Sequence, residues 1–164
     1  MIVLGVDPGT ATTGWGVLET VGSQRLAVHG YGAILTKSTT PFPERLGIIH
    51  RELQKIIRQY RPEAAAIEEL FFAKNVKTAI SVGHARGVIM LTAIEEDLEI
   101  YEYTPLQVKQ SLVGYGRAEK SQMQKMIKVL LGLKEIPKPD DVADALAIAF
   151  THISNAKYHQ KTGI

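Results

Sequence analysis

Residues Ile2-Val3-Leu4-Gly5-Val6 are apolar without alternation, and the run stops at Asp7, where Pro8-Gly9 breaks it. A strand with one wet face alternates apolar and polar side chains. An unbroken apolar run instead suits a strand buried on both faces at the centre of a sheet. The rest of the chain must then cover both faces of that strand. Asp7 stands where the strand leaves the core, a short carboxylate held by buried backbone. Such a residue suits a fixed metal ligand, but Asp-Pro-Gly is equally good turn chemistry, so this stretch alone leaves both readings open.

The following segments supply the neighbours. Gly14 to Glu19 reads as a second strand, Gly22-Ser23 as a tight turn and Leu26 to Leu35 as a third strand, an antiparallel meander. Lys37 to Pro43 breaks the sheet. From Glu44 to Tyr60 the apolar residues Leu46, Ile49, Leu53, Ile56 and Tyr60 fall three or four apart, which predicts an amphipathic helix stopped by Arg61-Pro62. Ala64 to Ile67 is a short buried strand that delivers Glu68 and Glu69. A helix over about Asn75–Glu95 carries Ala79, Gly83 and Gly87 on one stripe. Glycine costs helix stability unless close packing repays it, so a backbone should approach there, from the same subunit or from a second one.

Glu99 to Tyr103 alternates like a strand, and Thr104-Pro105-Leu106-Gln107 is a capping box with proline at the first helical position. The helix it starts ends at the Gly114–Gly116 loop. Glu119 to Leu131 is the next helix, with Met123, Met126, Ile127 and Leu130 facing inward as core filling. After Pro137-Lys138-Pro139, Asp140 is the expected N-cap of a last helix reaching about Asn155. Three antiparallel strands followed by strand–helix alternation make an α/β domain with a mixed sheet over residues 1–156, and 157–164 a short polar tail.

A chain of 164 residues suffices for one substantial core. No uncharged apolar run approaches the roughly 20 residues needed to span a bilayer, and the first apolar run meets Asp7 too soon for a signal peptide. Without cysteine there are no disulfides or thiolate metal sites, in keeping with a cytoplasmic protein. A net charge of +2 decides nothing about nucleic acid, because local clustering matters more.

The acidic residues are more informative. Asp141 and Asp144 are three apart and share a helix face beside the apolar set Val142, Ala145, Leu146, Ala149 and Ile153. Adjacent acids at the edge of a buried helix repel unless a cation lies between them, although a dipole-stabilised helix start also favours Asp. If the strands ending in Asp7 and in Glu68 or Glu69 are neighbours, four carboxylates converge at one end of the sheet. Oxygen ligands without His or Cys select Mg²⁺ or Mn²⁺. Two such ions about 4 Å apart are the usual apparatus for phosphodiester hydrolysis. Lys74 and Lys77 follow the second acidic site, and Lys109, Arg117 and Lys120 flank the Gly114–Gly116 loop. Of the consecutive pair Phe71 and Phe72, one has reason to be exposed as a base-stacking wedge.

At this point the chain resembles the RuvC family of Holliday-junction resolvases over nearly its whole length. The resemblance is carried by Gly5-Val6-Asp7-Pro8-Gly9, Ala66-Ile67-Glu68, Phe71 to Asn75, Gly83 to Gly87, Gln107 to Gln110, Ala118 to Ser121 and Asp141 to Ala147. It implies a ribonuclease H-like fold with a five-stranded sheet in the order 3-2-1-4-5 and a homodimer. It also implies paired, Mg²⁺-dependent nicking of four-way DNA junctions in recombination and repair, with RuvA and RuvB as partners and Mn²⁺ as a substitute ion. It assigns Asp7, Glu68, Asp141 and Asp144 as catalytic metal ligands, with Lys120 and Lys109 near the scissile phosphate. Phe71 becomes the stacking aromatic; Phe72, Lys74, Asn75 and Arg117, grouped around the acidic sites, are read beside it as further DNA contacts. Glu68 is thereby preferred over Glu69, and Asp141 over Asp140. A related nuclease acting on structured RNA, an actin- or sugar-kinase-like phosphotransferase built on Asp7-Pro8-Gly9-Thr10, and a non-catalytic nucleic-acid-binding module are the alternatives. Two identical sites on a two-fold axis match a nearly two-fold junction, which makes the Gly83-containing helix a candidate interface.

Overall fold

The structure, a computed structural model, describes residues 1–22, 25–69 and 76–162. The strands are β1 (Ile2–Asp7), β2 (Thr12–Val21), β3 (Arg25–Leu35), β4 (Ala64–Glu68) and β5 (Glu99–Tyr103). The helices are α1 (Phe42–Tyr60), α2 (Val76–Glu95), α3 (Pro105–Val113), α4 (Lys120–Leu130) and α5 (Asp140–Thr162).

The strands form one sheet in the order β3-β2-β1-β4-β5, the ribonuclease H-like order. β1 pairs antiparallel with β2 and parallel with β4, and β4 pairs parallel with β5. The uninterrupted apolar run is thus the central strand, and Val3, Leu4 and Val6 are fully buried. Because side chains alternate across a strand, Leu4 and Val6 enter the core under α1 and α2, while Val3 enters the core under α3, α4 and α5. Gly5 and Asp7 share the Val3 face, so Asp7 is aimed at α5.

α1 buries Ile49, Leu53 and Ile57 and ends at Arg61 in the left-handed conformation, which Pro62 prevents from continuing as helix. The capping box holds as predicted. The Gln107 amide donates to Thr104 Oγ1 at 3.2 Å, and Gln107 Oε1 accepts from the Thr104 amide at 2.8 Å. Such a cap stabilises a short helix by about 1 kcal/mol. Tyr103 Oη lies 2.8 Å from Nδ1 of buried His152, which ties β5 to α5.

Three boundaries differ from expectation. Leu130 is 40% exposed, because α4 ends there; Leu131 and Leu133 in the following turn fold back onto the core, and Gln124 is buried in α4. Asp140 is the first residue of α5 instead of its cap. α5 also continues past Asn155 to Thr162, since nothing between Ala156 and Thr162 is a glycine or proline that would stop it.

Candidate active site

Glycines let α5 settle onto the sheet. On β1 and β2 the residues facing this helix include Gly5, Gly14 and Gly16, and each lies where a Cβ would strike α5. A Cβ on Gly5 would land on the Ala145 carbonyl oxygen, and one on Gly14 on the Asp141 carbonyl. Helix backbone therefore rests directly on strand backbone, with Ala145, Ala147 and Ala149 as its small buried residues. Gly14 is paired with Asp7 in the β1–β2 register, so the helix start that carries Asp141 and Asp144 is lowered beside Asp7. Glycine inside a strand weakens it, and that cost is the sign of a close backbone approach. The glycines were visible in the sequence, but their partner lies some 130 positions away.

From the other side, β4 runs parallel to β1 and ends with Glu68 one position beyond the paired Val6 and Ile67. Ala66 faces α5, and so two residues later does Glu68. Asp7 and Glu68 share a hydrogen bond. Burial first, and then the negative charges of Glu68, Asp144 and Asp141, push the Asp7 carboxyl up to about 9. Glu68 is itself raised, chiefly by burial, against the opposing effects of that hydrogen bond and of Lys120. Both carboxyls are thus pushed toward the protonated form by burial and by neighbouring negative charge. Asp144 is raised by burial, partly offset by Lys120. As they stand, the described acidic and histidine side chains make no group of three closed around one point.

Lys120, at the start of α4, places Nζ 3.0 Å from Asp144 Oδ2 and 3.7 Å from Asp140 Oδ2, with over half its side chain exposed. Burial alone would lower the Lys120 ammonium pKa; the hydrogen bond and charge of Asp144 raise it overall, so it stays positive. Asp140 is instead engaged with Lys138, whose Nζ is 3.0 Å from Oδ1 and which holds the carboxyl below its usual range. Glu69 is exposed just past the end of β4. A cleft of about 220 Å³ opens beside these groups, lined by Glu68, Asp144, Lys109 and Lys120 over an apolar floor that includes Val108 and Ile148. Arg117 is exposed at the bend before α4. Phe71, Phe72, Lys74 and Asn75 lie outside the described residues.

Sequence reasoning passed over Arg86 of α2. Its side chain is only 17% exposed, pairs with Glu102 at 2.6 Å and donates from Nε to the main-chain oxygen of Glu68 at 3.2 Å. It lies within Gly83 to Gly87 of the sequence, and only the fold brings it to the end of β4.

The family described as "Crossover junction endodeoxyribonuclease RuvC" matches residues 3–152. A protein of that name from Alkaliphilus oremlandii is 58% identical, the match covering 96% of each chain. Its counterpart in Caldicellulosiruptor saccharolyticus is 60% identical over 93% of this chain and 92% of that one. Among solved structures, Thermus thermophilus RuvC in complex with a Holliday junction substrate superposes with a TM-score of 0.91, at 40% identity and with 96% of both chains covered.

Proposed function

The chain belongs to the RuvC family, and from that premise we propose that it is an endodeoxyribonuclease that resolves four-way DNA (Holliday) junctions by paired, symmetric hydrolysis in recombination and repair. One observation carries the chemistry: Asp7 and Glu68, at the ends of neighbouring strands, share a hydrogen bond, and Asp144 of α5, paired with the cationic Lys120, lies close enough for its charge to act on both.

The donor set fits a hard divalent cation. It offers carboxylate oxygens only, and crowding among them drives a proton onto Asp7, so the cluster favours added positive charge. Asp7, Glu68, Asp141 and Asp144 would hold the ions, two Mg²⁺ or Mn²⁺ in place of the proton. A bound Mg²⁺ would supply positive charge toward the reacting phosphate and lower the pKa of an attacking water. The chain's own residues do the remaining work. Lys120 stands beside Asp144, where a phosphate can approach it as a charge partner, and Lys109 adds a second cation along the cleft. Phe71, Phe72, Lys74 and Asn75 are proposed DNA contacts, supported by the resemblance of the Phe71 to Asn75 segment to the family pattern, and Arg117 is proposed from its exposed place beside the Gly114–Gly116 loop.

A dimer is proposed for the same reason that the cuts are paired: a two-fold enzyme offers one site to each of two strands. α2 supports it. Its outer side exposes Ile80, Leu91 and Ile94, each more than half accessible, and at Gly87 an added Cβ would meet nothing within 4 Å. Among the described residues that stripe has no partner, and a second copy would bury it. Replacing Leu91 and Ile94 together by Glu should convert a dimer to monomer in sedimentation while leaving the fold intact. An unchanged dimer would place the interface elsewhere. RuvA and RuvB are the proposed branch-migration partners, and the cytoplasm the proposed compartment, both on the family resemblance.

The direct test is a fixed four-way DNA junction incubated with and without Mg²⁺, each strand's cuts mapped at nucleotide resolution. Symmetric nicks on two strands are expected, with Mg²⁺ only. Equal cleavage of structured RNA, or cutting without a divalent ion, would refute the proposal.

A further inference from the structure

We propose that Arg86 is a positioning residue for catalysis, fixing Glu68 by its main chain from the side of the sheet opposite the active site. The inference rests on the assignment of Glu68 to the active site and goes beyond it.

The two faces of the sheet make the geometry plain. The Glu68 carboxylate faces α5, whereas Ile67 packs into the core under α1 and α2. Glu102 is paired with Ile67 in register, and Ile100, two residues earlier on β5, packs into that same core. Glu102 thus shares the α2 face. Arg86 reaches down from α2, flanked by fully buried Ala85 and Ile89, and meets two groups at once. Its Nη2 lies 2.6 Å from Glu102 Oε2, and its Nε donates to the Glu68 carbonyl oxygen at 3.2 Å.

The end of β4 has particular need of such a donor. β1 stops at Asp7, and the next residue, Pro8, has no N–H with which to extend the β1–β4 ladder. On the other side the Glu69 amide still donates to the Tyr103 carbonyl, at 2.9 Å. Glu68 is therefore the point where the strand leaves regular pairing, and its carboxylate must nonetheless be held against the negative charges of Asp144 and Asp141. Arginine suits the task better than lysine. Its planar fork can spend Nε on the carbonyl and Nη2 on Glu102 together, whereas an ammonium on a flexible stem holds one geometry less firmly. Glu102 in turn fixes the fork, leaving little side-chain entropy to lose.

The test uses full-length protein carrying Arg86→Met, Arg86→Lys or Glu102→Gln. Three quantities are read: amide exchange at Glu69 by NMR, junction affinity without a cleaving ion, and single-turnover cutting with Mg²⁺. Arg86→Met should speed exchange at Glu69 about 10-fold or more while β2–β3 amides stay protected. It should slow cutting by about 10- to 100-fold, with junction Kd within about 2-fold. Arg86→Lys should recover part of the rate, and Glu102→Gln, at a half-exposed position that leaves the core untouched, should lose a few-fold. A wild-type rate in Arg86→Met, or a loss matched by Kd, overturns the proposal. Should Arg86→Met not fold, Glu102→Gln decides: an unchanged rate with unchanged Glu69 exchange overturns it equally. Failure of the wild-type protein to cut the junction at all would instead refute the functional assignment beneath it.

Discussion

The Asp7→Asn variant is expected to bind a four-way junction within about 2-fold of wild type while cutting it about 10³-fold more slowly or worse. Asparagine preserves size and hydrogen bonding but removes the charge that a divalent cation needs, so shape recognition survives and hydrolysis does not. The same substitution has an opposite and less obvious effect on stability. Asp7 titrates near 3.8 when exposed and at about 9 in the folded protein. Below pH 3.8 both states hold the proton and nothing is lost. Between 3.8 and about 9 the folded state keeps a proton that the unfolded state releases, so stability falls as pH rises through this window. In metal-free protein the accumulated cost at pH 7 is of order 1–3 kcal/mol, moderated because Glu68 shares the proton. Asp7→Asn removes it. Melting curves from pH 4 to 9 should show the variant gaining on wild type with every step upward, and divalent cation should restore wild type only. Parallel curves would mean that Asp7 carries no such burden and stands in no acidic cluster.

How far the sequence reveals this protein depends on the range of each interaction. β1 is legible because an unbroken apolar run has one good home, and Asp7 follows from the residue at its end. α1 is legible from its three-and-four spacing, and α3 from a capping box complete within four residues. Residue reading separates Glu68 from Glu69 only once the β1–β4 pairing is known, which puts Glu68 beside Asp7 on the face that carries Ala66. Leu130 defeats the same periodic logic. Its phase is right, but where a helix runs out over the core edge is decided by the turn after it, which seats Leu131 and Leu133 instead. Arg86 and the glycines beneath α5 have no local signature at all. A helical arginine between small residues looks solvated, and a glycine in a strand looks like a weak strand. Each acquires meaning only from a partner that the fold brings across the sheet.

The glycine floor predicts the second large effect. Gly14→Ala adds one methyl group, ordinarily a mild change in a strand. Here the new Cβ would fall on the Asp141 carbonyl, with the Val142 nitrogen 2.9 Å away. These are helix backbone atoms, unable to swing aside as a side-chain tip does, so the start of α5 must rise from the sheet. Overpacking of this kind costs about 1–3 kcal/mol, which a domain of this size tolerates. Activity should suffer much more, because the segment that rises carries Asp141 and Asp144 away from Asp7 and Glu68. A displacement of about 1 Å at reacting groups lowers a rate by about 10²-fold. Gly5→Ala makes the complementary case. It lies under the middle of α5, against Ala145 and with Ala149 N and Cβ at 2.8 and 2.9 Å, so no helix end is free to lift and the loss should appear mainly as stability. Single-turnover cutting measured well below each melting midpoint separates the two effects. If Gly14→Ala loses activity only in proportion to its unfolded fraction, close seating of α5 is a matter of packing alone; if the folded variant is slow, the glycine at position 14 is what lets carboxylates from opposite ends of the chain act on one phosphate.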